Sequence, residues 1–206
     1  MSRNRTRQNG MRDAIAAAAA RIMAEGGVDN FALAKRKAAR QLGATDKQAL
    51  PGNEEVEAAL RAYFELYQAD EHPDRIQHLR RVALSMMREL EEFSPYLTGP
   101  VLKGIAGPYA DIELQLFPDS CKDVEIFLLN RSIPFSSSEA RRYSGDRARE
   151  VTVLELEWEG ATVKLSIYDA RDERIALKTT QVGRVMDRAG IPEVSAMLEV
   201  KRAEPA

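Results

Sequence analysis

Residues 99–116 constrain the fold of this chain more than any other stretch does. Gly99 and Gly104 frame a short segment, and further on Asp111 and Glu113 alternate with apolar residues. Because alternate side chains of a β-strand project to the same face, this pattern predicts a strand with both carboxylates on one face and apolar residues on the other. Neighbouring carboxylates repel each other and lose hydration on burial. A divalent cation removes that penalty, and Mg²⁺ prefers oxygen ligands, so the stretch predicts a metal-binding strand beside a glycine turn.

The glycine turn and the carboxylate strand together resemble the signature of the nucleotidyltransferase fold, the polymerase-β-like superfamily, in its minimal form. In that signature a Gly-Ser turn and a later glycine precede a strand with the pattern Asp, apolar, Asp or Glu, apolar. Gly99 matches the first glycine, Gly104 the later one, and residues 111–114 the strand. Pro100 stands where the family has serine, which removes a hydroxyl group and a backbone N–H. The resemblance covers the C-terminal half of the chain.

The resemblance implies a Mg²⁺-dependent nucleotidyltransferase, which moves a nucleotidyl group from a nucleoside triphosphate, expected to be ATP, to an unknown hydroxyl acceptor. It implies that Asp111, Glu113 and a third carboxylate on a later strand are the catalytic residues and the metal ligands. Glu155, which lies between two leucines, is the best match for the third carboxylate, and Glu157 is the second. The residues implied to bind the nucleotide are Gly99, Pro100, Lys103 and Gly104.

Other interpretations of these residues stay open. Asp123 and Glu125 form a second Asp-apolar-Glu pattern, but the apolar residues around them have helical spacing. On a helix these two carboxylates would point apart, which disfavours them as the metal pair. Glu155 and Glu157 fit solvent-facing strand positions equally well. Because Pro100 replaces serine in the turn implied to bind the nucleotide, the sequence is also compatible with a catalytically inactive nucleotidyltransferase-fold protein that has a binding or regulatory function.

The N-terminal part of the chain is predicted to be helical, and its first quarter has an excess of Arg and Lys although the whole chain has a net charge of −2. Periodicity predicts helices over residues 12–24 and 31–42, and Asp29 or Asn30 can cap the second. This pair resembles the opening helices of a helix-turn-helix domain, which gives a second alternative function: a DNA-binding regulator with salt-dependent affinity. Against it, residues 44–50, where a recognition helix would stand, are few and end at a Pro-Gly break.

Two further helices are predicted before the glycine turn. Asn53 can cap the third helix. Residues 70–73 are expected to form a turn, and the fourth helix is expected over residues 74–93. The two histidines, His72 and His78, have no Cys or carboxylate cluster around them, so both are expected at the surface.

The second half of the chain is predicted to contain most of the strands. Residues 151–158 and 161–168 alternate in polarity around Glu159-Gly160, which predicts a hairpin. Residues 136–149 are polar and rich in arginine, and are expected to form a mobile loop.

These patterns predict an α+β fold, in which an N-terminal helical region precedes a small mixed β-sheet with helices on one face, a nucleotidyltransferase-like arrangement. The sheet would contain the approach to Gly99, the Asp111 strand and the hairpin. The expected organisation is a disordered basic tail (1–10), a helical accessory region (11–95), a nucleotidyltransferase-like core (96–200) and a second tail (201–206).

Composition limits the compartment and the partners. Cys121 is the single cysteine, so an intrachain disulfide and a Cys-based zinc site are excluded, as expected in a reducing cytoplasm. No stretch has the ~20 apolar residues of a transmembrane helix. We therefore expect a cytoplasmic protein without membrane contact. Its expected partners are a nucleoside triphosphate, an unknown acceptor and, through the basic helices, nucleic acid.

Overall fold

The chain has an α+β fold, with helices first and a mixed sheet afterwards, which confirms the predicted fold class. The computed structural model describes residues 2–28, 30–44, 50–144, 147–178 and 185–199. By its internal contacts the chain divides into two compact units. Unit 1 contains Met1–Arg75 with Ile105–Ala110, and unit 2 contains Ile76–Gly104 with Asp111–Ala206.

The elements follow one another in the order helices, strands with interspersed helices, and a final helix. The helices are α1 (Ser2–Gly26), α2 (Phe31–Gln41), α3 (Asn53–Tyr67), α4 (Glu71–Glu89), α5 (Gly99–Lys103), α6 (Cys121–Asn130) and α7 (Ile191–Glu199). The strands are β1 (Tyr96–Thr98), β2 (Ile112–Leu116), β3 (Phe135–Ser144), β4 (Arg147–Trp158), β5 (Ala161–Ile167) and β6 (Leu177–Lys178). None of the helices in the described part of the chain combines the length and the apolar character needed to cross a bilayer.

Unit 1 is built on small buried side chains of α1 and α2 and larger ones of α3. Ala19 and Ala34 are fully buried beside Leu60 and Phe64. The N-cap of α2 is Asn30, whose side chain accepts a hydrogen bond from the backbone N–H of Leu33 at 2.9 Å. The alternative cap, Asp29, lies outside the described residues, as do residues 45–49 of the proposed recognition segment and the tail 201–206.

The start of α3 differs from the prediction. The N-cap is Gly52, not Asn53, and Glu55 Oε2 accepts a hydrogen bond from the Gly52 backbone N–H at 2.6 Å. Asn53 instead accepts a hydrogen bond from Lys35 Nζ at 2.9 Å. The carboxylate of Glu55 therefore satisfies the end of the helix that Asn53 was expected to cap.

Two helices begin earlier than the sequence indicates. Helix α1 includes residues 2–10, where composition predicts a disordered tail. Helix α4 begins at Glu71. Pro73 lies in its first turn, where a proline is tolerated. His72 is therefore not a surface turn residue: it is buried, and its ring stacks on Phe64 with centroids 3.9 Å apart.

The sheet of unit 2 has the strand order β1-β2-β5-β4-β3-β6. Strands β2 and β5 are parallel, and every other neighbouring pair among the described strands is antiparallel. Strands β4 and β5 form the predicted hairpin, with Glu159 (φ 48°) and Gly160 (φ 80°) at its turn. Positive φ at both central residues is the type I′ conformation, which matches the twist of the flanking strands.

One face of the sheet carries the apolar core, because β2, β4 and β5 alternate in polarity. Ile112, Leu114, Leu154 and Leu165 are fully buried on this face. The opposite face is more polar. Residues 185–189 connect the two edges of the curled sheet, through bridges from Lys178 to Val185 and from Leu97 to Ala189.

The described part of the 136–149 segment, residues 136–144 and 147–149, does not form the expected mobile loop. Strand β3 pairs with β4 from Phe135 opposite Leu156 to Ser144 opposite Arg147. The prediction was wrong because strand formation depends on the neighbouring strand more than on intrinsic propensity. Strand β4 supplies the partner for a segment whose own sequence is polar.

Candidate functional site

Four side chains lie in one row across the polar face of the sheet. Thr98 on β1 is opposite Glu113 on β2, Glu113 is opposite Lys164 on β5, and Lys164 is opposite Glu155 on β4. Directly opposed residues project to the same face. Asp111 precedes Glu113 by two positions and so shares this face. The structure thus places the three predicted carboxylates on one face, with a lysine between β2 and β4.

Lys164 joins two of those carboxylates. Its Nζ lies 2.5 Å from Asp111 Oδ2 and 3.5 Å from Glu155 Oε2. The hydrogen bond to Asp111 raises the pKa of Lys164, and the negative charges of both carboxylates act in the same direction against partial burial. The ammonium group of Lys164 is therefore held in its charged form between the carboxylates of Asp111 and Glu155.

Glu113 lies directly against Gly99. A Cβ atom built on Gly99 would lie 2.7 Å from Glu113 Oε2 and 2.8 Å from its Cδ, which is closer than real Cβ atoms approach. Gly99 also has φ +71°, in the left-handed region that favours glycine. Both observations require glycine at position 99. The glycine turn and the carboxylate strand therefore lie side by side.

The turn after Gly99 is the short helix α5. Pro100 occupies its first turn, where the missing N–H would have had no partner within the helix. Lys103 is the last residue of α5, and Gly104 ends the helix in the left-handed conformation with φ +68°. The predicted nucleotide-binding residues therefore form or flank one helical turn beside Glu113.

Arg80 on α4 fixes the C-terminal end of α5. Its Nε donates to the carbonyl oxygen of Val101 at 3.2 Å, and its Nη2 donates to that of Leu102 at 2.8 Å. Burial lowers the pKa of the Arg80 guanidinium. The arginine thus supplies a donor to the Leu102 carbonyl oxygen and a second donor to that of Val101, which also accepts a hydrogen bond from the Gly104 backbone N–H.

The same face continues into a cluster of aromatic rings and arginines. The rings of Phe117 and Tyr168 stack with centroids 5.5 Å apart, and the Arg188 guanidinium lies 4.8 Å from the Tyr96 ring centroid. Burial raises the pKa of Tyr168, and the positive charge of Arg142 opposes that rise. Gln115 Oε1 is buried and makes no hydrogen bond to any described residue. This end of the face therefore combines stacked aromatic rings with arginine side chains.

The competing candidates lie elsewhere. Asp123 and Glu125 are on helix α6, as their spacing predicts. In unit 1, several basic side chains already have partners: Arg12 donates to Glu55, and Lys35 donates to the Pro51 carbonyl oxygen at 3.0 Å. Burial lowers the pKa of Lys35. The Arg12–Glu55 ion pair offsets one positive charge of the first helices, and Lys35 is held against a backbone carbonyl group.

The chemistry of the donor set suits Mg²⁺, because Asp111, Glu113 and Glu155 offer only carboxylate oxygens. Among the residues that the structure describes, no three His, Cys, Asp or Glu side chains are close enough together to hold an ion. Asp111, just before β2, and Glu155, on β4, nevertheless both approach the ammonium group of Lys164. The residues therefore fit a divalent cation in their chemistry, provided that Lys164 moves.

Lys164 is the residue that the sequence analysis missed. The sequence did indicate that Lys164 pairs with Glu155, since a two-residue turn at Glu159-Gly160 fixes the hairpin register and places these residues opposite each other. The pairing of Lys164 with Asp111 had no local signal, because it depends on β5 lying between β2 and β4.

No protein-family model matches this chain, and no curated protein matches it significantly.

Proposed function

We propose that this chain is a Mg²⁺-dependent nucleotidyltransferase. It would transfer a nucleotidyl group from a nucleoside triphosphate, with ATP as the first donor to test, to a hydroxyl acceptor. The proposal also includes a nucleotidyltransferase-like fold for the mixed sheet and its helices.

One observation carries the proposal: Gly99 packs against the carboxylate of Glu113. A phosphate-binding turn and a carboxylate strand must lie together if both are to contact the same triphosphate. Here the carboxylate of Glu113 fills the space that a side chain at Gly99 would need, although residues 101–110 separate the two parts of the sequence signature. Asp111 and Glu155 lie on the same face of the sheet.

Each residue then has a definite task. Asp111, Glu113 and Glu155 would supply the oxygen ligands of the metal, and Lys103 would offset phosphate charge. When bound, Mg²⁺ would stabilise the charge on the phosphates and on the attacking oxygen. The acceptor oxygen would bond to the α-phosphorus as the bond to pyrophosphate breaks, and the hydroxyl proton would leave to water. Pro100 removes one N–H donor from the turn, so the remaining backbone must bind the phosphates.

Lys164 favours a second candidate, a nucleotidyltransferase-fold protein that binds or regulates without catalysis. An ammonium group 2.5 Å from Asp111 Oδ2 neutralises the carboxylate charge without a metal. In such a protein the ion pairs of Lys164 would be permanent, and the carboxylates would have a structural role.

Calorimetric titration of ATP, with and without Mg²⁺, tests the proposal. The wild-type protein is expected to bind ATP only with Mg²⁺, and Asp111→Asn/Glu113→Gln is expected to lose that binding. The matched control is Asp123→Asn/Glu125→Gln, which makes the same chemical changes on α6 and should bind as the wild type does. Failure of the wild type to bind any nucleoside triphosphate with Mg²⁺ would exclude a working transferase and leave the second candidate.

A further inference from the structure

The row of side chains on the polar face contains a resident cation. Lys164 Nζ lies within 3.5 Å of carboxylate oxygens of Asp111, which directly precedes β2, and of Glu155 on β4. The Lys164 side chain keeps 38% of its surface exposed, so it is only partly buried where it meets these carboxylates.

We propose that Lys164 occupies the position of the divalent cation in the metal-free protein, and that metal binding displaces it. This inference rests on the proposed function, because it takes Asp111 and Glu155 as metal ligands. The same oxygens attract both cations, and two positive charges at one place repel each other. The lysine ion pairs and the metal are therefore mutually exclusive.

The lysine stem allows the exchange. A lysine side chain has four flexible carbon–carbon links, and its strongly hydrated ammonium group is stable in water. Since Lys164 is partly exposed, it can turn towards solvent without burying an unpaired charge. In the metal-free state it prevents repulsion between the carboxylates, and it lowers their apparent affinity for metal by the same coupling.

The test measures Mn²⁺ binding without nucleotide, by calorimetry and by electron paramagnetic resonance of free Mn²⁺. Lys164→Met removes the charge and keeps the side-chain length. It is expected to bind Mn²⁺ about tenfold more tightly than the wild type, within the usual range of couplings between ligands at one protein. Lys164→Gln, which can still donate a hydrogen bond to Asp111, should change the affinity in the same direction. Lys122→Met, on the exposed surface of α6, is the matched control and should bind as the wild type does.

Thermal unfolding gives a second readout. Without metal, Lys164→Met should unfold at a lower temperature than the wild type, because its carboxylates lose their shared cation. Saturating Mn²⁺ should raise the unfolding temperature of Lys164→Met more than that of the wild type.

The outcomes separate this inference from the proposed function. Equal or weaker Mn²⁺ binding by both Lys164 variants, with the wild type still binding Mg²⁺ and ATP, would overturn the displacement and leave the transferase proposal intact. Absence of Mn²⁺ binding in the wild type and in both Lys164 variants, with or without ATP, would overturn both proposals. Tighter binding by the variants without any ATP binding would support the displacement and count against the transferase.

Discussion

At the scale of single residues, Gly99 is a position where the chain has little freedom to change. It combines a left-handed backbone with a carboxylate that occupies the space a Cβ atom would need. Gly160 has a similar φ of +80°, but a Cβ there would meet nothing within 4 Å. Comparing alanine substitutions at these two glycines therefore separates the free-energy cost of backbone strain from that of the steric clash.

We expect Gly160→Ala to cost about 1–2 kcal/mol, the usual penalty of the left-handed conformation for a residue with a Cβ. Gly99→Ala should cost at least about 1 kcal/mol more, because Glu113 must move as well. Urea unfolding of both variants checks this difference. Equal losses of unfolding free energy would mean that Glu113 relaxes away from Gly99 without cost.

At the scale of elements, the long β3–β4 hairpin is the largest departure from the sequence-based prediction. Apart from its last residues, β3 has a described partner only on the β4 side. In an antiparallel pair only alternate residues donate to a given neighbour. The backbone of β3 should therefore show two kinds of amide.

We expect hydrogen exchange over residues 135–143 to alternate between slow and fast amides, with the slow ones bonded to β4. Site-resolved exchange by NMR is the measurement, and the amides of the exposed Glu159-Gly160 turn are the internal reference for fast exchange. Uniformly fast exchange over residues 136–142 would contradict the strand and support the mobile loop that their composition predicts.

At the scale of the whole molecule, the net charge of −2 conceals local ion pairs that contribute to the response to acid. The hydrogen bond from Arg12 lowers the pKa of Glu55, and the hydrogen bond from Tyr63 lowers the pKa of Glu25. A carboxylate with a lowered pKa stabilises the fold above its unfolded pKa, ordinarily 4.5 here. That stabilisation is lost as the pH falls through the folded value.

We expect the unfolding temperature to decline below pH 4.5, the ordinary glutamate pKa. Glu55→Gln should show a shallower decline, because its side chain no longer titrates. The effect will be small, since both partners are more than one-third exposed to solvent. Differential scanning calorimetry across the acid range is the measurement, with the exposed Glu65→Gln as control. An unchanged acid profile in Glu55→Gln would show that this pair does not contribute to acid unfolding.

Much of the fold was predictable because its signals are local. The alternation of β2 and of the β4–β5 hairpin, the cap at Asn30 and the helical spacing of α6 all appear where the sequence indicates them. Local signals failed where a distant partner decided the outcome. His72 is buried because Phe64 lies beside it, and β3 is a strand because β4 pairs with it.

The candidate site divides in the same way. The sequence by itself determined that Asp111 and Glu113 share a strand face, and that Glu155 lies on a hairpin strand, because side-chain alternation is a property of the strand itself. The tertiary structure alone decided that β5 lies parallel to β2 and between it and β4, which brings Lys164 to Asp111, and that Gly99 packs on Glu113. Strand order depends on which strands, distant in the sequence, bury the most apolar surface when they pair. The sequence of one strand alone does not indicate which strand will be its neighbour.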